Sequence, residues 1–288
     1  MFLPTRFVTL DLHIPRRFRL ILGFTMLLIF FAGPTIASSQ DKHEDFDEYK
    51  VRISGFWLLS TPTVTMEAAG HNGFVDFDRD FGFNNYSTFL GKLDWKFTRK
   101  NHFYLVAAPF IQSSQVTLSR TIVFRGQTFS VGAVVQGKLS AIVYTPGYQY
   151  DIIRGKRGHI GLAAQINLFD STGTLSAAAQ VTSGGTQQAA ASAQASLLAP
   201  IPVAGPEFRL YLTNSPRLFV EGNVYGMYLF GYGNYVSTAG DLGLSLSRHL
   251  SINGGYTLGS RLKVNDQSNR VGLRLNQKGP LAGLEVSF

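Results

Sequence analysis

The chain has 288 residues, with 26 Lys and Arg against 18 Asp and Glu and a formal net charge of +8. Charged residues make up 15% of the chain, below the roughly 25% of soluble domains, and aromatic residues make up 13%. The basic residues are scattered rather than gathered into a stripe, which argues against a nucleic-acid partner. The absence of cysteine excludes disulfides, a cysteine-linked lipid anchor and thiol chemistry.

Residues 1–39 are typical of a secretory signal peptide. Four arginines precede an apolar run of 13 residues, Leu20–Ala32, and small residues follow it. The run is shorter than the roughly 20 residues that a membrane-spanning helix needs. We predict export by the general secretory route rather than the twin-arginine route, with cleavage after Ala37 or after Ser39. Residues 40–48 then form a short acidic periplasmic tail.

Period-two alternation begins at Tyr49, and residues 49–288 are predicted to form the barrel. The pattern is typical of transmembrane strands with apolar side chains towards lipid and polar side chains towards the lumen. The first predicted lipid face is Tyr49, Val51, Ile53, Trp57 and Leu59. Alternation returns near 88–98, 103–111, 142–152, 160–168, 218–224, 242–246, 252–262 and 271–276. In the last two segments the predicted lipid-facing residues are Ile252, Tyr256, Leu258, Leu262, Val271, Leu273 and Leu275.

Short polar turns between longer connections set the strand count. They are predicted at 99–101, 154–158 and 214–216 and around Arg248-His249. With both termini periplasmic, four short turns imply five hairpins and ten strands. Eight and twelve are the alternative strand counts, because the stretches 61–87 and 113–137 each hold either another strand or an extension of a neighbouring strand. A soluble β-sandwich alternates in the same way but needs no depletion of charge.

Three aspartates alternate in the first long connection, at Asp76, Asp78 and Asp80. Three carboxylates on one side of a strand suit a calcium ion or the divalent cations of lipopolysaccharide. The EF-hand pattern fails, because Phe81 stands where glycine is required and Ser87 where the bidentate glutamate belongs. We therefore favour a strand above the membrane with the aspartates in water and Val75, Phe77, Phe81 and Phe83 on its other face. No metal site or cofactor is predicted.

The histidines offer little support for catalysis. His102, His159 and His249 lie at or beside predicted periplasmic turns, where a polar ring anchors at the interface, and His43 lies in the tail. Of these histidines only His71 is predicted on the extracellular side. The sequence pattern indicates no particular serine and aspartate that would act with it. We predict no catalytic residues.

Residues 171–206 contain no charged residue and are rich in Ala, Ser and Gln. We expect a long extracellular hairpin of small residues, with Gly184-Gly185 at its tip. The alternative is a segment folded into the lumen as a plug.

The chain ends with Leu284, Val286 and Phe288 in alternation. A terminal strand that ends on an exposed aromatic side chain fits a lipid-facing surface with an aromatic girdle. It looks like the C-terminal strand of Gram-negative outer-membrane barrels, which their assembly machinery reads.

Several segments together resemble a broad family of bacterial outer-membrane β-barrel proteins without an assigned activity. They are 73–82 (GFVDFDRDFG), 124–129 (FRGQTF), 144–150 (YTPGYQY) and the Gly279-Pro280 ending. The resemblance covers most of the chain after the signal peptide. It implies an outer-membrane location, with both termini periplasmic and with membrane lipids, lipopolysaccharide and the assembly machinery as partners. It implies no catalytic residues.

The sequence therefore predicts an all-β protein, a transmembrane antiparallel up-and-down β-barrel of about ten strands. We expect a monomeric, non-enzymatic envelope component with a largely filled or narrow lumen, because small barrels are filled by their own side chains. The alternatives are a small-solute pore and an outer-leaflet lipid- or peptide-hydrolysing enzyme. The predicted lumen-facing residues are Lys50, Arg52, Lys92, Asp94, Lys96, Asp151, Glu221, Arg270 and Arg274.

Overall fold

A computed structural model of the chain describes residues 46–68, 73–83, 85–178, 180–181, 187–188, 190–215, 217–229, 233–266 and 271–288. The predicted signal peptide, most of the predicted tail, His71, Arg270 and the tip at Gly184-Gly185 lie outside the described residues. Among the described residues, no helix is long and apolar enough to span a membrane.

The described elements are sixteen strands and one short helix. In chain order they are β1 (Val51–Ser60), β2 (Thr63–Ala68), β3 (Gly73–Asp76), α1 (Phe77–Phe81), β4 (Tyr86–Thr98), β5 (Asn101–Thr117), β6 (Ile122–Phe124), β7 (Gln127–Phe129) and β8 (Val134–Gly155). They continue as β9 (Gly158–Ala177), β10 (Gln180–Val181), β11 (Gln187–Gln188), β12 (Ala191–Tyr211), β13 (Arg217–Leu229), β14 (Gly233–Ser245), β15 (Leu250–Asp266) and β16 (Val271–Ser287).

Ten of these strands form a closed antiparallel barrel in the order β1-β4-β5-β8-β9-β12-β13-β14-β15-β16. Pairing of β1 with β16 closes it, from Arg52 opposite Ser287 to Leu58 opposite Leu281. The predicted fold class and the predicted count of ten strands are confirmed. All four predicted short turns lie at the end of the barrel where β1 begins and β16 ends, which we call the turn end. The opposite end is the loop end.

The outer surface carries an apolar belt that stops at one level on neighbouring strands. Register places Ile111 opposite Ser140, and Asp170 between Ile142 and Leu198. Beyond this level, towards the loop end, the outward residues are polar, as in Ser113, Gln136 and Ser196. Exposed apolar side chains facing outward over a closed ladder are the surface of a membrane-spanning barrel. β8 has 22 residues, against about 9–11 for one crossing, so its upper part stands above the belt.

The stretches 61–87 and 113–137, whose strand content the sequence left open, lie at the loop end. Their described strands extend the barrel wall there and add no further membrane-spanning strand. β2 continues the sheet along β16, from Thr63 opposite Asn276 to Ala68 opposite Val271, and β3 pairs with β2. Between β5 and β8 the chain forms the small β6–β7 hairpin. The described parts of 171–206 continue β9 and β12, which pair with each other from Gly158–Leu210 to Ala177–Ala191, as the expected hairpin requires.

Two predicted faces are wrong near the loop end. Val271, Leu273 and Leu275 point inwards and Arg274 is exposed, the reverse of the prediction. Leu273 precedes the buried Glu285 by an even number of residues along one uninterrupted strand, so the two share the inner face. Leu262 also points inwards, because an irregularity between Thr257 and Ser260 in β15 shifts the alternation by one residue.

An aromatic cap fills the barrel at the loop end. It consists of Met66, Val75, Phe77, Phe81 and Phe83, each at most 1% exposed. The predicted strand here is wrong after Asp76, because 77–81 forms α1 with Asp76 as its N-cap and Gly82 as its left-handed C-cap (φ 70°). The helical turn places Phe77 and Phe81 on one side, with ring centroids 5.8 Å apart, and Phe77 stacks on Phe83 at 5.4 Å.

An ion pair fastens the cap to the neighbouring loop. Arg120 donates to both carboxylate oxygens of Asp80, from Nε at 2.9 Å and from Nη2 at 2.5 Å. Burial alone would raise the pKa of Asp80, but these hydrogen bonds and one from the Asp76 N–H hold it below its usual range. Because the folded-state pKa is lowered, this stabilisation is present at neutral pH and is lost only as the pH falls through that lowered value.

Small inward residues leave room for the cap. A Cβ atom at Gly137 would lie 2.4 Å from the Phe81 ring, and one at Gly173 would lie 2.8 Å from the Met66 sulfur. Ala193, Ala195 and Ala199 face inwards from β12 at the same end. These small residues of β9 and β12 thus form the wall behind the aromatic cap, and the cap itself comes from other segments.

We expect Gly137→Ala to lower the free energy of unfolding by about 1–3 kcal/mol, because the added methyl group overpacks the cap against Phe81. Urea unfolding in detergent micelles measures it. Gly91→Ala is the matched control, since a Cβ at Gly91 meets nothing within 4 Å. Equal stabilities of the two variants would contradict the described cap.

Candidate functional site in the lumen

Asp47 is the centre of an ion-pair layer at the turn end. The residue is fully buried, and its carboxylate lies 2.7 Å from Arg52 Nη2 and 2.8 Å from His159 Nδ1. Lys96 Nζ donates to the Asp47 carbonyl oxygen at 2.9 Å and lies 3.4 Å from the carboxylate. Arg154 Nη2 donates to the same carbonyl oxygen at 3.0 Å. The chain before β1 therefore enters the barrel, where sequence analysis placed a periplasmic tail.

Tyr49 and His102 continue this layer. The rings of both point inwards, and the Tyr49 hydroxyl lies 3.1 Å from His102 Nδ1. The same nitrogen lies 3.3 Å from Asp94, and His102 Nε2 lies 3.1 Å from Asp151. Arg52 and Lys96 cover the Tyr49 ring at 3.7 and 3.8 Å from its centroid.

Arg209 forms the second half of the layer. Its guanidinium binds Glu285 through two hydrogen bonds of 3.0 and 2.7 Å and reaches Glu221 at 3.0 Å. It also lies 3.8 Å from the centroid of the Phe219 ring. Arg52 Nε lies 3.4 Å from Glu285 and so joins the two halves. Each buried charge here faces an opposite charge, the first condition under which burial of ions is tolerated, although the Nε atoms of Arg154 and Arg209 are buried without a hydrogen-bond partner.

Most predicted lumen-facing residues are confirmed, and two are wrong. Four of them are buried inside the barrel: Arg52, Asp94, Lys96 and Asp151. Two more, Lys92 and Glu221, line a cavity in the middle of the lumen that is described below. Lys50 is exposed, because the alternation of β1 starts only at Val51, and Arg274 is exposed for the reason given above. Tyr49 was predicted to face lipid but lies inside, because it also precedes the start of the β1 alternation at Val51. Sequence analysis also missed four buried members of the layer: Asp47, Arg154, Arg209 and Glu285.

The prediction of interfacial histidines is wrong for two of the three. His102 and His159 lie in the ion-pair layer, bonded to carboxylates, because each belongs to the inward set of its strand. His249 is exposed and lies 2.8 Å from the Ser287 carbonyl oxygen. An even spacing from inward neighbours, His102 to Tyr104 on one strand and His159 to Gln165 on another, was the available signal.

The three aspartates of the first connection do not converge. Asp76 caps α1 and accepts the Arg79 N–H at 3.1 Å, while Asp80 binds Arg120. Among the described residues, no group of three or more His, Cys, Asp or Glu side chains is arranged to hold a metal ion.

Between the ion-pair layer and the aromatic cap lies a cavity of about 310 Å³. Towards the turn end its wall is polar, with Lys92, Gln165, Asn167, Glu221 and Asp241. Towards the loop end the wall is apolar, and it includes Phe110, Leu139, Val143, Phe169 and Leu273. The cavity therefore combines a polar pole with an apolar body.

We expect Asp47→Asn to lower the free energy of unfolding by about 3–5 kcal/mol, because it leaves several buried cations without their shared carboxylate. Urea unfolding of the detergent-solubilised protein measures the loss. Glu48→Gln, next in the chain and exposed, is the matched control and should leave stability unchanged. If the two variants unfold alike, the Asp47 carboxylate does not lie in the lumen.

No family model matches the chain, and no curated protein matches it. Similar solved structures include the outer membrane protease OmpT from Escherichia coli, at 11% identity and a TM-score of 0.47, covering 88% of this chain and 100% of that one. Ail, the attachment invasion locus protein of Yersinia pestis, matches at 10% identity and a TM-score of 0.34, covering 84% and 99%. The Pseudomonas putida toluene transporter TodX matches at 7% identity and a TM-score of 0.34, covering 85% and 91%.

The names of these proteins describe different activities. The chain itself forms a closed antiparallel barrel of ten strands, the fold that the sequence predicted.

Proposed function

We propose that the protein is a non-conducting, non-enzymatic component of the bacterial outer membrane. The ion-pair layer around Asp47 and Arg209 carries this proposal. It brings residues of β1, β4, β5, β8, β9, β12, β13 and β16 together with the chain before β1 across the lumen. Ions would have to pass both this layer and the aromatic cap. The side chains of these two regions narrow any path through the lumen.

Short turns at one end and long connections at the other support a periplasmic turn end. In this orientation both termini are periplasmic, and the cap and the β6–β7 hairpin face the outside. The upper part of the barrel then stands among lipopolysaccharide headgroups, and the belt below it contacts the lipid tails. We infer a monomer, because the ten strands close on themselves without a second chain.

The terminal strand supports recognition by the assembly machinery. Leu284 and Phe288 face outwards and are about half exposed, while Glu285 faces the lumen. The Phe288 carbonyl oxygen accepts hydrogen bonds from the N–H groups of Lys50 and Val51, at 2.6 and 3.2 Å. The main chain of Phe288 therefore joins β16 to the first strand.

A non-enzymatic role is supported by the state of the two lumenal histidines. His102 and His159 are each bonded to carboxylates and are buried in the ion-pair layer. A general base needs access to a substrate as well as an orienting partner. In these positions the carboxylates stabilise the barrel.

Conductance across a planar bilayer tests the proposal. The protein, inserted as shown by resistance of its barrel to protease, should give no ohmic steps. Asp47→Ala and Arg209→Ala in the layer, combined with Phe77→Ala and Phe81→Ala in the cap, should open a path and give small steps, while Glu48→Ala should stay silent, because Glu48 lies outside the layer. Reproducible steps from the unaltered protein would overturn the proposal, whether or not the multiple variant folds.

A further inference from the structure

The central cavity holds a hydrogen-bond donor without a partner. Asn167 is 3% exposed and lines the cavity, and its Nδ2 has no hydrogen-bond partner. A buried amide N–H without an acceptor is unfavourable, so its presence at a cavity wall calls for an explanation.

A hydrogen-bond chain runs from Tyr104 to this amide. Thr145 Oγ1 donates to Asn167 Oδ1 at 2.8 Å, and Gln165 Nε2 donates to the same oxygen at 3.2 Å. The Tyr104 hydroxyl in turn donates to Gln165 Oε1 at 2.7 Å. In this arrangement Oδ1 has two donors, which leaves Nδ2 as the group that can take an acceptor.

The apolar wall of the cavity towards the loop end indicates the chemistry of the rest of the ligand. Phe110, Val143, Phe169 and Leu273 surround the part of the cavity nearest the cap, and they favour an apolar body. An engineered cavity of about 150 Å³ holds one benzene molecule, so about 310 Å³ suits a compound of about twelve non-hydrogen atoms.

The charges at the polar pole argue against an anion. Glu221 and Asp241 line the cavity there, and Lys92 is the one cation among the described residues that line it. Lys92 Nζ already lies 3.9 Å from Asp94 and 5.2 Å from the Tyr104 ring centroid. A carboxylate ligand would lie beside the carboxyl groups of Asp241 and Glu221, the second of which is bound to Arg209, whereas a neutral carbonyl or ether oxygen adds no charge.

We propose that the cavity is a binding site for a small neutral compound with an aromatic or short aliphatic body and one hydrogen-bond acceptor directed at Asn167 Nδ2. This site goes beyond the proposed non-conducting role, and its occupancy is measured without any current.

Fluorine NMR of the detergent-solubilised protein tests the site with two ligands of the same shape. para-Fluoroacetophenone carries a carbonyl acceptor, and para-fluoro-α-methylstyrene replaces that oxygen with a methylene group. A bound signal distinct from the micelle signal should appear for both, with the ketone bound about 2–10-fold more tightly because of one hydrogen bond. Asn167→Leu, which is close in shape, should remove this preference and keep the binding of the styrene.

Ala141→Phe, which fills the cavity from β8, is the control for binding elsewhere and should abolish both bound signals. The inference is overturned if the unaltered protein shows no bound signal, which would leave water as the occupant. It is also overturned if Ala141→Phe keeps both signals, or if Asn167→Leu keeps the preference for the ketone. Tighter binding of para-fluorobenzoate than of the ketone would overturn the choice of a neutral ligand.

Discussion

Backbone N–H and C=O groups within a membrane have no water to bind, so the free edges of β1 and β16 must bond to each other. Their pairing from Arg52–Ser287 to Leu58–Leu281 removes both edges. Closure also fixes which side chains face inwards on every strand. Arg52, Asp94, His102, Asp151, His159, Arg209 and Glu285 meet in the lumen because each falls on the inner face of its strand near the turn end.

The interior changes character along the barrel axis. At the turn end buried charges are matched by opposite charges, and at the loop end aromatic rings pack against glycine and alanine. The two ends of the lumen are packed by different physical means. The ion-pair layer depends on complete pairing, so that loss of one carboxylate is costly, whereas the cap depends on shape and is sensitive to one added methyl group. The cavity between them is therefore polar on the side of the turn end and apolar on the side of the loop end.

Much of the fold was predictable from the sequence, because alternation and short polar turns define hairpins locally. The four turns and the outward faces of β8 and β9, such as Tyr144 and Ile166, follow from period two alone. Leu273 was mispredicted because apolar residues were assigned to lipid, although its even spacing from Glu285 indicated the lumen. The shift in β15, the helix at 77–81 and the entry of Asp47 into the lumen depend on contacts with distant strands, which local patterns do not carry.

The central claim is that the described side chains close the lumen at both ends. The chain has no cysteine, so Ala163→Cys, on the inner face between the layer and the cavity, introduces a single thiol. The rate at which a water-soluble thiol reagent labels it in the membrane-inserted protein measures access directly, with Ser113→Cys, on the exposed face above the belt, as reference. A closed lumen predicts that the Ala163→Cys thiol is labelled far more slowly than the Ser113→Cys thiol, and at an equal rate once the protein is unfolded in urea. Equal labelling of the two thiols in the folded protein would contradict a closed barrel.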